Sequence, residues 1–200
     1  MTPALVRLTL VVVAVLLVGI TLLTAPDAPF WSAERPASEA AEDTTDPYVR
    51  LRLSEEARQA GDHAGALAHA RAAVMLAPQL PEARWNLAAL LTGDGEFNEA
   101  FVHYDVAMHL DPEPSAQHLS NLALALTWSG RPKDAIPRYR QAIALNPNIA
   151  WIHENYAYAL AVTGDVAGAK AELEEALRLD PSAPGPKEAL AKLGAAPPAP

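Results

Sequence analysis

An all-α solenoid, one helical hairpin written four times, is the fold class this sequence predicts, on three observations. Pro78, Pro112, Pro147 and Pro181 recur at intervals of 34, 35 and 34 residues. The residues before each proline keep the same step: Leu76, Leu110, Leu145 and Leu179; Ala73, Ala107, Ala142 and Ala176; Ala66, Ala100, Ala135 and Ala169; Gly61, Gly95, Gly130 and Gly164. Half of the 200 residues are hydrophobic, and much of that half is alanine, which suits close helix contacts better than a deep core. A period of this size marks stacked helical units rather than a closed globule.

Taken in order from the N-terminus, residues 1–25 are a different material. Leu8 to Ala25 carries no charge and as a helix would span about 27 Å, close to the thickness of a bilayer core. The segment predicts a single transmembrane helix preceding the repeats. A cleaved secretory signal is the competing reading, but its apolar region is shorter, and cleavage after Ala25 would set Pro26 at the scissile bond. Arg7 before the segment and Arg35 well beyond it favour a cytoplasmic N-terminus and a repeat domain on the far side, the periplasm in a bacterium. Residues 26–46 are rich in proline, alanine and acid and are expected to form a flexible tether. Phe30 and Trp31 interrupt that composition, and an aromatic pair just past a membrane helix is expected at the level of the headgroups rather than in a binding site.

The four copies follow at 47–80, 81–114, 116–149 and 150–183, with a capping helix over 184–194 and a disordered tail over 195–200. Each glycine of the set falls just past a first helix, where a left-handed residue ends the helix and turns the chain. Each proline stops a second helix. The one extra residue lies between Pro112 and Gln117, where Pro114 adds a stiff turn. Pro137, one turn inside a second helix, is expected to bend it without breaking it.

The second copy, PEARWNLAALLTGDGEFNEAFVHYDVAMHLDPEP, resembles the tetratricopeptide repeat, and the resemblance extends over about 135 residues. It implies a right-handed solenoid of four such repeats, a protein–protein interaction role, and a concave groove lined by the first helix of each copy. Trp85 falls one place later than the family's tryptophan, and Ser54, Ala88, Ala123 and Ala157 stand where the family has glycine. The first copy, with Arg52-Leu53-Ser54, departs most, as expected of a terminal repeat.

A rotation of 100° per residue sets Leu87, Ala88 and Leu91 against the second helix of their own copy and leaves the opposite sector free. That sector holds Tyr48, Leu51 and Glu55; Trp85 and Ala89; Gln117, Leu124, Thr127 and Trp128; and Trp151, Glu154 and Tyr158. The five aromatic rings read either as packing between neighbouring first helices or as a recognition strip; taken together they favour the strip. Asn86, Asn121 and Asn155 repeat beside it, where their amides suit the backbone of an extended peptide or a bond to the next repeat. Members of the family that grip an acidic C-terminus do so with basic groove residues. Here only Arg58 and Arg52 match, so an apolar or aromatic peptide or helix is the expected partner.

Several classes are excluded or disfavoured. A formal charge of -9 argues against nucleic acid, which needs clustered cations. Without cysteine there is no disulfide, thiolate zinc site or cysteine nucleophile. His63 and His69, like His103 and His109, are six apart and lie about 120° from each other on a helix, too far round to share a metal. No cofactor and no enzymatic activity are expected. The functional reading is a membrane-anchored adaptor that captures a peptide or helix of a partner in envelope assembly, secretion or maturation. The alternative is a structural or self-associating subunit, a homo-oligomer included, of a larger membrane complex.

Overall fold

The structure, a computed structural model, describes residues 44–195. The expected membrane segment, the tether up to residue 43 with Phe30 and Trp31, and residues 196–200 lie outside the described residues. Among the described residues no helix is long and apolar enough to cross a membrane.

Nine helices and no strand make up the described chain: α1 (Pro47–Gln59), α2 (His63–Leu76), α3 (Pro81–Gly93), α4 (Phe97–Leu110), α5 (Ala116–Trp128), α6 (Pro132–Leu145), α7 (Ala150–Thr163), α8 (Val166–Leu179) and α9 (Pro184–Ala195). The helix ends follow from the residues there. Pro47, Pro81 and Pro132 occupy first turns, where a missing N–H costs nothing. Asp62 and Asp165 accept the N–H of Gly65 and Gly168 at 2.9 Å, and Ser115 accepts that of His118 at 3.2 Å. Every first helix closes on a left-handed glycine, with φ of +77° at Gly61, +79° at Gly95, +82° at Gly130 and +92° at Gly164. The next N–H then reaches back five residues, as from Glu96 to Leu91 at 2.9 Å, which satisfies a helix-end carbonyl. Helix α6 runs on through Pro137.

A Cβ at Gly95 would meet no atom within 4 Å, so strain there is conformational alone. Gly95→Ala is therefore expected to lower stability by about 1–2 kcal/mol, measurable as a lower urea midpoint with an unchanged slope.

Alanine brings the helices together. Ala66, Ala100, Ala135 and Ala169, with Ala73, Ala107, Ala142 and Ala176, are all 0% exposed. Each second helix therefore sits close on its first. The larger side chains fill the spaces between: Tyr104 and Tyr139 are fully buried, and Tyr139 lies 5.6 Å from Tyr156 ring to ring. Leu190 and Leu193 of α9 pack against the end of this core.

A side-chain clamp recurs in three of the four hairpins. Arg50, Arg84 and His153, each in a first helix, meet His69, His103 and Glu172 in the second at 3.1, 3.2 and 2.7 Å. The same three residues hold the carbonyls of Thr44, Pro78 and Pro147, six places back, at 2.7, 3.2 and 2.9 Å. Each clamp thus ties a hairpin to the connection entering it. In the third hairpin the corresponding positions are Leu119 and Arg138. The connection entering it, 111–115, has five residues, whereas 77–80, 146–149 and 180–183 have four.

Candidate functional site: the face of the first helices

Successive first helices touch one another, α1 with α3, α3 with α5 and α5 with α7, while their second helices stand farther apart. The stack therefore curves with the first helices on its inner side. Two clefts lie on that side. One, of about 590 Å³, is lined by Leu51, Arg58, Trp85, Asn86, Asn121 and Trp151 among others. The other, of about 400 Å³, is lined by Trp128, Asn155, Tyr158, Leu173, Lys192 and Leu193 among others.

The aromatic residues of the strip do not share one environment. Tyr48, Trp128, Trp151 and Tyr158 are 63%, 49%, 38% and 52% exposed. Trp85 corrects the expectation: it is 3% exposed. Its indole stacks on the His118 ring at 4.6 Å and 8°, and the Tyr104 ring packs against it at 5.6 Å. The rotation that set Trp85 in the free sector ignored the neighbouring repeat, whose His118 covers the ring. Trp85 thus walls the first cleft as a core residue. Thr127 is likewise buried, its hydroxyl donating to the Ala123 carbonyl at 2.8 Å; a threonine hydroxyl can bond back to its own helix and needs no free face.

Around these rings the polar groups divide in the same way. Asn86 lies on the cleft but accepts from the Ser54 hydroxyl at 3.0 Å; that hydroxyl shares its single proton with the Ala66 carbonyl at 2.9 Å. Asn86 thus joins the first repeat to the second. Asn121 and Asn155 line the clefts half-buried. Leu51 and Leu124 are half-buried too, Leu51 on the first cleft. Arg58 is committed to Glu55 through two bonds of 2.7 and 2.6 Å. That guanidinium, with the Gln59 amide helping and burial opposing, holds the Glu55 carboxyl down at about 2. Arg52 pairs with Glu56 at 2.5 Å. Two arginines already bound to carboxylates make a poor receptor for an acidic terminus, whereas exposed indole and phenol rings suit an apolar one.

Burial pushes the His118 imidazole below its ordinary value of 6.5, against the pull of Asp111 and Glu82; burial and Arg84 do the same to His103, Glu99 opposing and Arg71 adding a little. Between the folded value and 6.5 the unfolded chain binds more protons, so this contribution is complete above 6.5 and is lost as pH falls below it. The urea midpoint is expected to drop between about pH 7.5 and about pH 5.5, and less steeply in His118→Gln. A midpoint independent of pH in that window would show that neither ring matters.

Among the described residues no cluster of histidine, aspartate and glutamate could hold a metal. His153 is buried between Glu172 and the Pro147 carbonyl; His63 bonds Asp94.

Comparison with known proteins agrees with this geometry. The family model of the tetratricopeptide repeat matches residues 126–193. The chain is 38% identical over 109 residues to the Hsp70-Hsp90 organizing protein of Triticum aestivum, covering 52% of this chain and 18% of that protein. It is 32% identical over 87 residues to the photosystem I assembly protein Ycf3 of Acaryochloris marina, covering 42% of this chain and 52% of that protein. The chain thus spans at most about half the length of the curated relatives it matches. Among solved structures, a thermophilic tetratricopeptide protein of Thermus thermophilus superposes with a TM-score of 0.62 at 27% identity, over 74% of this chain and 80% of that one. Proteins of this repeat mediate protein–protein interactions, and the fold is in most cases a non-catalytic scaffold. With its hairpin period, glycine turns and alanine contacts, the described chain is an all-helical solenoid similar to those of tetratricopeptide-repeat proteins.

Proposed function

We propose that the chain is an adaptor that holds an apolar or aromatic segment of a partner protein against its inner face. The observation that carries this reading is the exposure of Trp128, Trp151 and Tyr158 beside two clefts on that face. Large rings left half in water on a helix that has polar residues to offer are costly unless a partner covers them. Asn121 and Asn155 add amides that suit a peptide backbone. Leu8 to Ala25 would hold the adaptor at a membrane, with a cytoplasmic N-terminus and the repeats on the periplasmic side, and Pro26 to Asp46 would give them reach. The names of two relatives, one organizing chaperones and one assembling a photosystem, support assembly or maturation as the setting.

The test uses the full chain in native membranes with a photo-crosslinker at Gln117, on the rim of the first cleft. A discrete partner is expected to crosslink, and the triple variant Trp128→Ala, Trp151→Ala, Tyr158→Ala, verified as helical by circular dichroism, is expected to lose it. Loss of two or more hot-spot rings corresponds to a fall in affinity of about 30-fold or more. Unchanged crosslinking would end the recognition role of these rings. Protease protection in intact cells tests the topology separately; cleavage from the cytoplasmic side would remove the envelope setting and leave the adaptor.

A further inference from the structure

Each clamp needs a donor that can serve two acceptors, and the three clamped hairpins supply it differently. Arg50 and Arg84 reach the carbonyls of Thr44 and Pro78 on one side and the Nδ1 of His69 and His103 on the other, the latter at 3.1 and 3.2 Å. A guanidinium only donates and is always charged, so those two histidines accept, each through an Nδ1 without hydrogen. In the fourth hairpin the ring stands on the first helix instead. His153, 5% exposed, turns its Nδ1 to the Glu172 carboxylate at 2.7 Å and its Nε2 to the Pro147 carbonyl at 2.9 Å.

Both of these neighbours are acceptors, and a neutral imidazole has a single N–H. Two hydrogen bonds therefore require one further proton, held by the ring or by the carboxyl and shared between them. Without it, a lone pair of Nδ1 would face the carboxylate at 2.7 Å, or a lone pair of Nε2 would face the carbonyl at 2.9 Å. Either way one of the two bonds is lost. The other charges around the pair do not supply that proton. Glu175, on α8 with Glu172, bonds Arg178 at 2.7 and 2.6 Å; Arg178 chiefly holds its carboxyl below the ordinary range, and His153 adds to the pull. Arg140 of α6 bonds the Tyr156 hydroxyl one turn along α7, and Glu154 of α7 turns to Gly185 of α9. The connection 146–149 carries no charged residue.

What this pair holds leads directly to the inner face. Helix α7 begins at Ala150 with no side-chain cap on its first turn. The bond from His153 to Pro147 fastens the entering connection to the helix instead. Trp151 stands in that first turn, 38% exposed, and lines the first cleft together with Trp85, His118 and Asn121. Trp151 and His153 flank Ile152, which is fully buried, so the backbone that the pair ties down is the backbone that aims the indole.

We propose that His153 and Glu172 form a proton-dependent latch that sets the position of Trp151 in the first cleft. With the shared proton in place the latch is closed, the connection 146–149 is tied to α7, and the indole lines the cleft. When that proton leaves to solvent, one of the two bonds is lost, the connection loosens from the helix, and Trp151 moves with the first turn. The closed latch binds one proton more than the open one, so closure is favoured as pH falls and is lost as pH rises. The sign is opposite to that at His103 and His118, and the latch is therefore read at Trp151 rather than in the stability of the whole chain. Arg50 and Arg84 make the same tie with a permanent charge, so among the three clamps the fourth is the one that opens as pH rises. Regulation of partner binding through Trp151 rests on the adaptor reading; the latch itself does not.

The test is fluorine NMR of the full chain in mild detergent, labelled with fluorotryptophan, over about pH 5 to about pH 8, with the Trp151 resonance assigned from Trp151→Phe. That resonance is expected to shift as pH rises. It is expected to stay at its low-pH position in His153→Arg, which repeats the tie of the first two hairpins, and in Glu172→Gln, whose amide N–H donates to Nδ1 of a neutral ring. His153→Leu is expected at the high-pH position throughout; leucine already stands at this place in the third hairpin, as Leu119, and circular dichroism verifies the fold. His118→Gln, which removes the other ring on this cleft, is expected to titrate as the parent does. A Trp151 resonance independent of pH in the parent overturns the latch and leaves the adaptor reading intact. So does a shift that persists in His153→Arg, or one that vanishes in His118→Gln. The partner crosslinked at Gln117 is then followed over the same range, and its loss on raising the pH is expected in the parent and absent in His153→Arg. A Trp151 resonance that titrates as expected with no crosslinked partner at any pH upholds the latch and ends the adaptor reading.

Discussion

Trp85→Ala is expected to lower the unfolding free energy by about 3–5 kcal/mol, and Trp128→Ala, on the same face, by about 0.5 kcal/mol or less. The two tryptophans differ in what surrounds them. Trp85 is 3% exposed between Tyr104 of α4 and His118 of α5, so its removal opens a void that joins the second repeat to the third. Trp128 is 49% exposed, and its loss only returns half-wet surface to water. For a domain of this size the first change corresponds to a fall in Tm of about 10 °C. Calorimetry on both variants measures it; similar midpoints would show that the stacked rings add nothing. The indole N–H of Trp85 has no hydrogen-bond partner among the described residues, so Trp85→Phe removes an unsatisfied donor together with some area and is expected to cost clearly less than alanine. For the same reason Trp85 has no place in a binding test: its alanine variant would lose the partner by losing the fold.

How much of this could be read from the chain varies with the range of the interaction. The four glycines were legible because only one residue type sits without cost at a φ near +80°. The alanines were legible because a helix crossing leaves room for a methyl and little else. Trp85 was misplaced because helical rotation describes one helix, whereas its exposure is decided by His118, 33 residues later in the next repeat. The clamps pair residues 19 apart, a spacing set by the hairpin turn and with no signature in either helix alone. Their signal was there: arginine or histidine at one position of copies one, two and four, and Leu119 in copy three. The longer connection 111–115 had a signal as well, the interval of 35 among those of 34, but an extra residue tells only that a junction differs, not how thinly α4 packs on α5 there.

Tyr139→Ala is the other large effect, expected at about 3–5 kcal/mol, and its value lies in comparison with Tyr139→Phe. The ring is fully buried in the third hairpin, against Tyr156 of the fourth, so its removal empties the contact on which stacking depends. Its hydroxyl is another matter. In the second hairpin the Tyr104 hydroxyl lies 3.2 Å from Thr92, whose own proton goes to the Ala88 carbonyl at 2.8 Å. In the third, Thr127 makes the same backbone bond to Ala123, and although Thr127 stands near enough to act on the Tyr139 hydroxyl, that hydroxyl has no hydrogen bond of good geometry among the described residues. Burial raises both phenols well above their ordinary value of 10, with Thr92 and Thr127 pulling weakly the other way. Both therefore stay protonated at neutral pH, and the difference between them is one hydrogen bond of good geometry. A buried hydroxyl without a partner carries a desolvation cost of about 1–3 kcal/mol, while a bonded one contributes about 1 kcal/mol. Tyr104→Phe is therefore expected to destabilise by about 1 kcal/mol and Tyr139→Phe to be neutral or stabilising. Urea unfolding of the three variants measures the series. Equal losses in the two phenylalanine variants would mean that the Tyr139 hydroxyl is satisfied, and that the third hairpin is closed as tightly as the second despite its longer connection.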